Sequence, residues 1–514
     1  MKEKGLVRSA SETGFGTFIS RILGYLRDMV IASKFGAGAF ADAFYVAFRI
    51  PNLFRNLLGE GALSASFVPV FNEYLVKDEK EAWQVAGIIF SLLILILSSI
   101  TFLGIIFSPL IVRIFAPGFI YFPDKFMLTV SLTKIMFPFL FMISLAALST
   151  GVLNSRNSFF IPAVAPVMLS LGEIFAVFMI VPLMKGSIEG LAWGVLLGGA
   201  GQFLIQVPSV VSFWDKSVGF FKITFSHPGV KRILNLMLPA TLGFGVFQIN
   251  AFVDTVCASY LVVGSPSALY YANRLVQLPL AIFATSVATA SLPAMSKCAA
   301  KQDIKGVLGT LSSGIKMILF LMMPASVGLM ILGKPIIMLL FQRGSFDAVA
   351  ANLTFLALFY YSIGLVFYGG VKVFASAFYS MKDTKTPLQV AIVAMLINAD
   401  LNFILMRYLG VGGLALATAI SSCLNMLMLS IFLKRKSGKL DSKAISIFIF
   451  KMIAISLVIG VGCFLIMRSN INTVLQVLLG LLFSSAVLFG MGIVFKMEEA
   501  KRFLEVLKNG KRKA

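Results

Sequence analysis

Apolar stretches of about 20 residues or more recur along the whole chain, separated by short polar connections. A stretch of that length crosses a bilayer as a helix, so the pattern predicts an all-α, polytopic membrane protein. Fourteen transmembrane helices are expected, centred near residues 23, 57, 98, 140, 172, 200, 247, 282, 322, 365, 397, 423, 455 and 483. The first two are the least apolar, because they hold Arg21, Arg27, Asp28, Arg49, Arg55 and Glu60. The polar start Met1–Glu12 leads straight into a span without a small-residue cleavage site, so no cleavable signal is expected. The longest outward connections, such as Ala116–Lys125 and Gln342–Ala350, are too short for a domain outside the membrane.

Two halves of the pattern match. Asp28–Ser33 followed by Gly38 aligns with Asp254–Ser259 followed by Gly264 at an offset of 226 residues. Ala43, Tyr45, Ala47 and Arg49 then match Ala268, Tyr270, Ala272 and Arg274 at 225, and Gly190-Leu191-Ala192 meets Gly413-Leu414-Ala415 at 223. A steady offset over six spans implies two six-helix parallel repeats, and transporters built this way place substrate between the repeats and alternate access by rocking. The expected layout is an N-lobe over 1–213, a cytoplasmic linker over 214–230, and a C-lobe over 231–436. Helices 13 and 14 occupy 437–495, outside the repeat, and a basic tail covers 496–514.

Composition sharpens this picture. Of 514 residues 59% are hydrophobic and 13% charged, with a mean hydropathy of +0.94 and a net charge of +22. Such a basic balance could suit nucleic acid, but most Lys and Arg fall in alternate connections and at the two ends, which predicts both termini cytoplasmic and no nucleic-acid partner. The basic tail is expected to rest near anionic lipid headgroups. Cys257, Cys298, Cys423 and Cys463 form no CxxC pair and read as buried small hydrophobes, and the single histidine, His227, lies in the linker.

Charges within spans carry the chemistry. An arginine near mid-bilayer costs from about 2.5 to over 10 kcal/mol, so such residues face a cavity or pathway. Arg21, Gly24 and Asp28 share one face of the first helix, and Ser20, Gly24 and Arg27 an overlapping one. Pro51 is expected to kink the second helix between Arg49 and Arg55, with Asn52 and Arg55 one turn apart and Glu60 as either a titrating gate or a counter-ion. Arg274 occupies the repeat position of Arg49. Several guanidinium groups forking onto oxygens suit a diphosphate, whereas the alternative is a salt-bridge staple between helices. A second set, Asp254, Asn398, Asn402 and Thr418, with Asp400 nearby, reads either as a sodium site or as a hydrogen-bonded packing network. Lys372, beside Gly369-Gly370, is the intramembrane lysine of most interest.

The segments Ser20-Arg21-Ile-Leu-Gly24-Tyr-Leu-Arg27-Asp28, Phe35–Gly38, Asp42-Ala-Phe44, Pro51-Asn52-Leu53, Glu60-Gly-Ala62 and Tyr271-Ala-Asn-Arg274 resemble the MurJ (MviN) family of bacterial lipid II flippases. The likeness extends over essentially the whole chain. It implies a fold of the multidrug/oligosaccharidyl-lipid/polysaccharide exporter superfamily and a role in peptidoglycan biosynthesis and cell shape. It further implies transfer of undecaprenyl-diphosphate-linked peptidoglycan precursor from the inner to the outer leaflet of the bacterial cytoplasmic membrane. The family's essential arginines fall on Arg21, Arg27, Arg55 and Arg274, its essential acid on Asp42, and a usual basic position on Arg49. Helices 13 and 14 would form its lipid-tail groove. Sodium-binding relatives carry an aspartate where this chain has Asn402, which weakens the sodium case and leaves coupling to membrane potential or protons open.

No cofactor is expected. The expected partners are lipid II and membrane lipids, with the cell-wall synthesis machinery as a further candidate. An exporter of drugs or of another polyprenyl-linked glycan is the nearest rival, although drug exporters seldom need so many cavity arginines. A glycan polymerase would need a catalytic carboxylate outside, and the plain outer acids, Asp124 and Asp347, lie in short loops. The chain therefore reads as a transporter and not an enzyme.

Overall fold

A computed structural model describes residues 3–56, 63–438, 442–501 and 505. Every regular element among the described residues is helical. In chain order the helices are α1 (Glu3–Phe35), α2 (Ala39–Phe54), α3 (Ser64–Lys77), α4 (Glu79–Ile106), α5 (Ser108–Phe115), α6 (Pro123–Ser155), α7 (Phe160–Leu183) and α8 (Glu189–Phe213). They continue with α9 (Pro228–Ser259), α10 (Ser265–Ala300), α11 (Ile304–Phe341), α12 (Ala348–Ile363), α13 (Leu365–Ser380), α14 (Lys385–Leu409), α15 (Val411–Ser437), α16 (Ser442–Arg468) and α17 (Thr473–Val494).

Ten helices among the described residues are long and apolar enough to cross a membrane, and eleven when α12 and α13, bent by 43°, form one span. The chain is thus a multi-pass helical membrane protein. Helix α1 is 33 residues long but stands outside that set, and its polar load includes Arg21, Arg27 and Asp28. Glu60 lies outside the described residues.

The chain divides into two compact units. The first comprises Met1–Pro266 with Arg343–Phe346, and the second Ser267–Gln342 with Asp347–Ala514. Helix α9 is therefore counted with the first unit.

In the first unit Phe67, Phe71, Trp83, Phe137 and Trp214 build an aromatic core with α4 and α6. The linker after α8 is packed down. Trp214 stacks on Phe220 with centroids 4.0 Å apart and sits 5.0 Å from Trp83, while its indole N–H donates to the Val218 carbonyl at 3.0 Å. The Lys222 amide donates to the Ser91 hydroxyl of α4 at 3.0 Å. Helices α7 and α8 approach through glycines, and a Cβ on Gly172 would lie 2.6 Å from the Gly198 Cα.

Residues 343–346 close onto the C-terminal end of α1. The Ser345 amide donates to Ser33 O at 2.8 Å and its hydroxyl to Lys34 O at 3.0 Å. Gly36 (φ +67°) and Gly344 (φ +56°) flank this contact, and a Cβ on either would come within 2.3 Å of a carbonyl oxygen of the opposing strand of chain. A left-handed φ and that spacing both require glycine.

In the second unit the 38-residue α11 packs against α10, α12, α13, α16 and α17. Phe320, Leu332, Met452, Ile455, Ile459 and Leu488 form its core with α16 and α17. Helices 13 and 14 of the sequence reading thus correspond to α16 and α17 and pack on the second unit.

Candidate functional site

Burial of a guanidinium inside a helical bundle demands anionic or polar partners, and the first unit supplies several. Arg27 is 6% exposed and Asp28 is fully buried. Arg27 donates to Asp28 Oδ1 through Nε at 3.0 Å and Nη2 at 2.7 Å, and through Nη1 to Glu173 Oε1 of α7 at 3.3 Å. Glu173 is 1% exposed and was not singled out in the sequence. A carboxylate alone in the apolar run Val167–Leu183 was the available signal, because ionisable groups within spans are rarely idle. Ser20 is half-buried and Arg21 exposed, about two turns towards the N-terminus from these residues.

Asp42, on the first turn of α2, is also fully buried. Its Oδ2 accepts from Lys125 Nζ at 2.7 Å and from the Gly264 amide at 2.7 Å. The Lys125 ammonium lies 4.0 Å from the Phe119 ring centroid. Sequence reasoning left Lys125 at the edge of an outer connection, whereas the structure makes it the buried partner of Asp42.

Further along α2, Arg49 donates through Nη1 to Thr255 Oγ1 of α9 at 2.8 Å, next to Asp254 in sequence. Pro51 lies within the helix without ending it. Asn52 donates back to Phe48 O at 2.9 Å, so its amide serves its own helix. Arg55 and Asn56 begin a π-helical turn, with Arg55 Nη2 donating to Asn56 Oδ1 and Asn56 Nδ2 to Gln248 Oε1, each at 3.4 Å. Arg49 and Arg55 are both half-buried. The cationic stripe on α1 and α2 is therefore a mixture. Arg27 is held by carboxylates, as the staple reading required, while Arg49 donates to the Thr255 hydroxyl and Arg55 to the Asn56 amide oxygen.

In the second unit Arg274 is half-buried on α10, ahead of Pro279 and a π-helical stretch over Leu280–Ala284. Lys372 donates to Thr285 Oγ1 at 2.9 Å. The structure brings Asn398, Asn402 and Thr418 together as the sequence suggested. Asn402 Nδ2 donates to Asn398 Oδ1 at 3.0 Å, and Asn398 Nδ2 faces Thr418 Oγ1 at 3.4 Å and Ser421 Oγ at 3.3 Å. Both asparagines are buried, Asp400 is exposed, and Asp254 is counted with the first unit. Among the described residues no group of three or more His, Cys, Asp or Glu could hold a metal. Two amides and two hydroxyls form a donor–acceptor chain between α14 and α15, the arrangement of the packing-network reading.

The arrangement can neutralise a multiply charged anion and has no nucleophile–base pair among the residues described above. Comparisons with known proteins point the same way. The model of the family described as lipid II flippase MurJ matches residues 31–484. The chain is 39% identical over 439 residues to a probable lipid II flippase MurJ of Vibrio cholerae serotype O1, covering 83% of this chain and 82% of that protein. It is 36% identical to a lipid II flippase MurJ of Burkholderia cenocepacia, covering 82% and 83%. Among solved structures, a lipid II flippase MurJ in an inward closed conformation superposes with a TM-score of 0.81 at 30% identity, covering 95% of this chain and 99% of that one. A multidrug resistance MATE family transporter of the MOP superfamily gives 0.68 at 16% identity over 81% and 94%, a likeness of fold alone. Relatives above 30% identity over most of both chains, together with a family model that matches residues 31–484, settle the matter: the chain belongs to the lipid II flippase MurJ family.

Proposed function

We propose that this chain is a lipid II flippase, moving the undecaprenyl-diphosphate-linked precursor from the inner to the outer leaflet of the bacterial cytoplasmic membrane. The observation that carries the reading is the set of arginines embedded in the helices of a chain belonging to this family. Arg49 and Arg55 are half-buried on α2 and donate to neutral side-chain oxygens, and guanidinium groups so placed can fork onto an incoming diphosphate. Arg21, Arg27 and Arg274 complete the substrate set, with Ser20, Asn52 and Glu60 as further polar contacts. Asp42 is assigned to holding α2 through Lys125 and Gly264 rather than to contact with an anion.

The headgroup crosses by alternating access while the prenyl tail stays in lipid, and no covalent bond is made or broken. The fuller topology belongs to the same proposal: fourteen spans, both termini cytoplasmic, lobes over 1–213 and 231–436, a linker at 214–230, helices 13 and 14 over 437–495 as a tail groove, and a basic tail over 496–514 at the headgroups. Driving force is assigned to membrane potential or protons. Cell-wall synthesis enzymes are candidate partners because they consume the product.

The test is outer-leaflet lipid II exposure in cells depleted of the protein, read with an added enzyme that cleaves exposed lipid II. Exposure should collapse on depletion and return with wild type but not with Arg274→Ala at equal expression. Unchanged exposure on depletion, in cells without a second flippase, rejects the reading and promotes another polyprenyl-linked glycan as cargo.

A further inference from the structure

The connection between α8 and α9 carries four large apolar side chains that the protein leaves uncovered. Phe220, Phe221, Ile223 and Phe225 are 49%, 66%, 49% and 55% exposed. Contiguous exposed apolar surface of this kind marks a site of interaction. From Phe221 to Ser226 the chain is non-helical, and its apolar residues alternate with Lys222, Thr224 and Ser226. A two-residue period gives an extended chain one apolar edge and one polar edge. The first half of the connection is fastened to the protein through the buried Trp214 and Val218.

The level of this attachment is set by α4. That helix opens with Glu79, Lys80 and Glu81 and carries no further charge up to Ile106. A Cβ on Gly87 would lie 3.2 Å from Gly219 O and 3.4 Å from Phe220 O, and the Lys222 amide reaches Ser91. At about 1.5 Å per residue, Gly87 and Ser91 lie about 9 and 15 Å beyond Glu81 along the helix axis. A tilt of about 20° shortens those depths by under about a tenth. The headgroup layer on each side of a bilayer is about 5–7 Å thick. With the charged start of α4 at the outer edge of the headgroups, Gly219–Lys222 rests where headgroups meet acyl chains.

Charge favours the same occupant. Lys216 and Lys222 are exposed on the connection, and Lys231 follows on the first turn of α9. The acids nearby are engaged. Asp215 accepts from the Ser217 amide at 2.8 Å, Glu73 pairs with Arg232 at 2.6 Å and with Lys77 at 2.9 Å, and Glu79 pairs with Arg156 at 2.8 Å. Aromatic rings flanked by lysines settle at anionic lipid surfaces. A soluble protein would have to reach below the headgroups to cover these rings, whereas lipid is already at that level.

We propose that residues 219–226 form a membrane-surface anchor, with Phe221, Ile223 and Phe225 in the headgroup–acyl boundary and Lys216 and Lys222 on the phosphates of anionic lipid. On the topology proposed above this is the cytoplasmic leaflet. The anchor holds the joined ends of α8 and α9 at one depth. It rests on the membrane-spanning character of the chain and is independent of the cargo.

The experiment places the full chain in nanodiscs of phosphatidylcholine mixed with phosphatidylglycerol, and of phosphatidylcholine alone. A nitroxide is attached at Phe221→Cys, at Phe225→Cys and, as a water-side reference, at Lys80→Cys. The wild type, with its four native cysteines, is the labelling blank. Depth is read from the accessibility of each label to oxygen against a water-soluble nickel chelate. The labels at 221 and 225 should lie about 5–10 Å below the lipid phosphates, and the label at 80 in water. Omitting phosphatidylglycerol should move both anchor labels outward, and Lys216→Gln with Lys222→Gln should abolish that lipid dependence. Anchor labels as open to nickel as the label at 80 overturn the proposal. Labels shielded from both reagents overturn it too, because they place the segment under protein. Equal depths in the two lipid mixtures overturn the phosphate contacts. Two label positions on side chains that are already exposed keep the result from depending on one variant. No reading involves lipid II, so a failed anchor leaves the flippase reading untouched.

Discussion

Substituting Lys125 by Met should be among the most damaging single changes outside the arginine set. The change keeps the side-chain stem and removes the ammonium from a carboxylate, Asp42, with no exposure to solvent. Removing one partner of a buried pair costs about 3–5 kcal/mol, because the other charge stays buried without compensation. The Gly264 amide, 2.7 Å from the same oxygen, is present before and after and does not change the difference. Asp42→Asn should cost a similar amount, about 3–5 kcal/mol, because it removes the carboxylate from the buried Lys125 ammonium. The double variant should be more stable than Lys125→Met alone, because the stranded charge is gone. Reversible unfolding of the full chain in mixed micelles, run as a double-mutant cycle, reads all three. A Lys125→Met variant within about 1 kcal/mol of wild type, or a double variant no more stable than that single one, would refute a buried ion pair at this place.

Trp214→Ala removes a ring stacked on Phe220 and packed on Trp83 and should cost about 3–5 kcal/mol, with faster tryptic cleavage at Lys216 and Lys222; wild-type protection would contradict a packed linker. Burial alone would raise the Asp383 carboxyl, but the Lys436 ammonium and the Thr386 amide and hydroxyl outweigh it and hold it down at about 2, against 3.8 for the free group. A depressed folded value means stability that is present above about 4 and lost as pH falls through about 2, so wild type and Asp383→Asn should converge over that window by about 1 kcal/mol, reduced from the full shift because Lys436 is half-exposed. Parallel curves would remove the pair from the ledger. Asn398→Leu should cost about 1–3 kcal/mol by breaking the Asn402–Asn398–Thr418 chain, and the wild-type unfolding midpoint should be equal in sodium and choline chloride. A sodium-dependent midpoint would revive the cation site.

The helical, membrane-spanning character was legible because a 20-residue apolar period needs no tertiary information. The arginines of α1 and α2 were legible for the same reason inverted, since charge inside such a run stands out. What remained hidden depends on partners distant in sequence. Glu173 lies 146 residues from Arg27 and Lys125 lies 83 from Asp42, and no local pattern links either pair. Asn398 and Asn402 were expected on one face from their one-turn spacing, and the Asn402–Asn398 bond follows that spacing directly. Their oxygen-rich look suggested a cation, but amide groups carry donors as well, and here the donors complete the chain. The linker was legible in its composition and illegible in its packing, because Trp83 and Ser91 belong to a distant helix.

The glycine contact between residues 343–346 and the end of α1 has a practical consequence for anyone who wants to label this protein. A short polar connection is the customary place for an epitope or fluorophore, and Gln342–Asp347 would be chosen on sequence alone. Yet two of its contacts tolerate no side chain, and its backbone is already engaged by Ser33 and Lys34. A reporter there would measure its own intrusion. At the turn Lys185-Gly186-Ser187 the exposed Lys185 already carries a side chain, so a reporter attached there leaves Gly186, with its φ of +86°, as glycine and does not disturb what it is meant to watch.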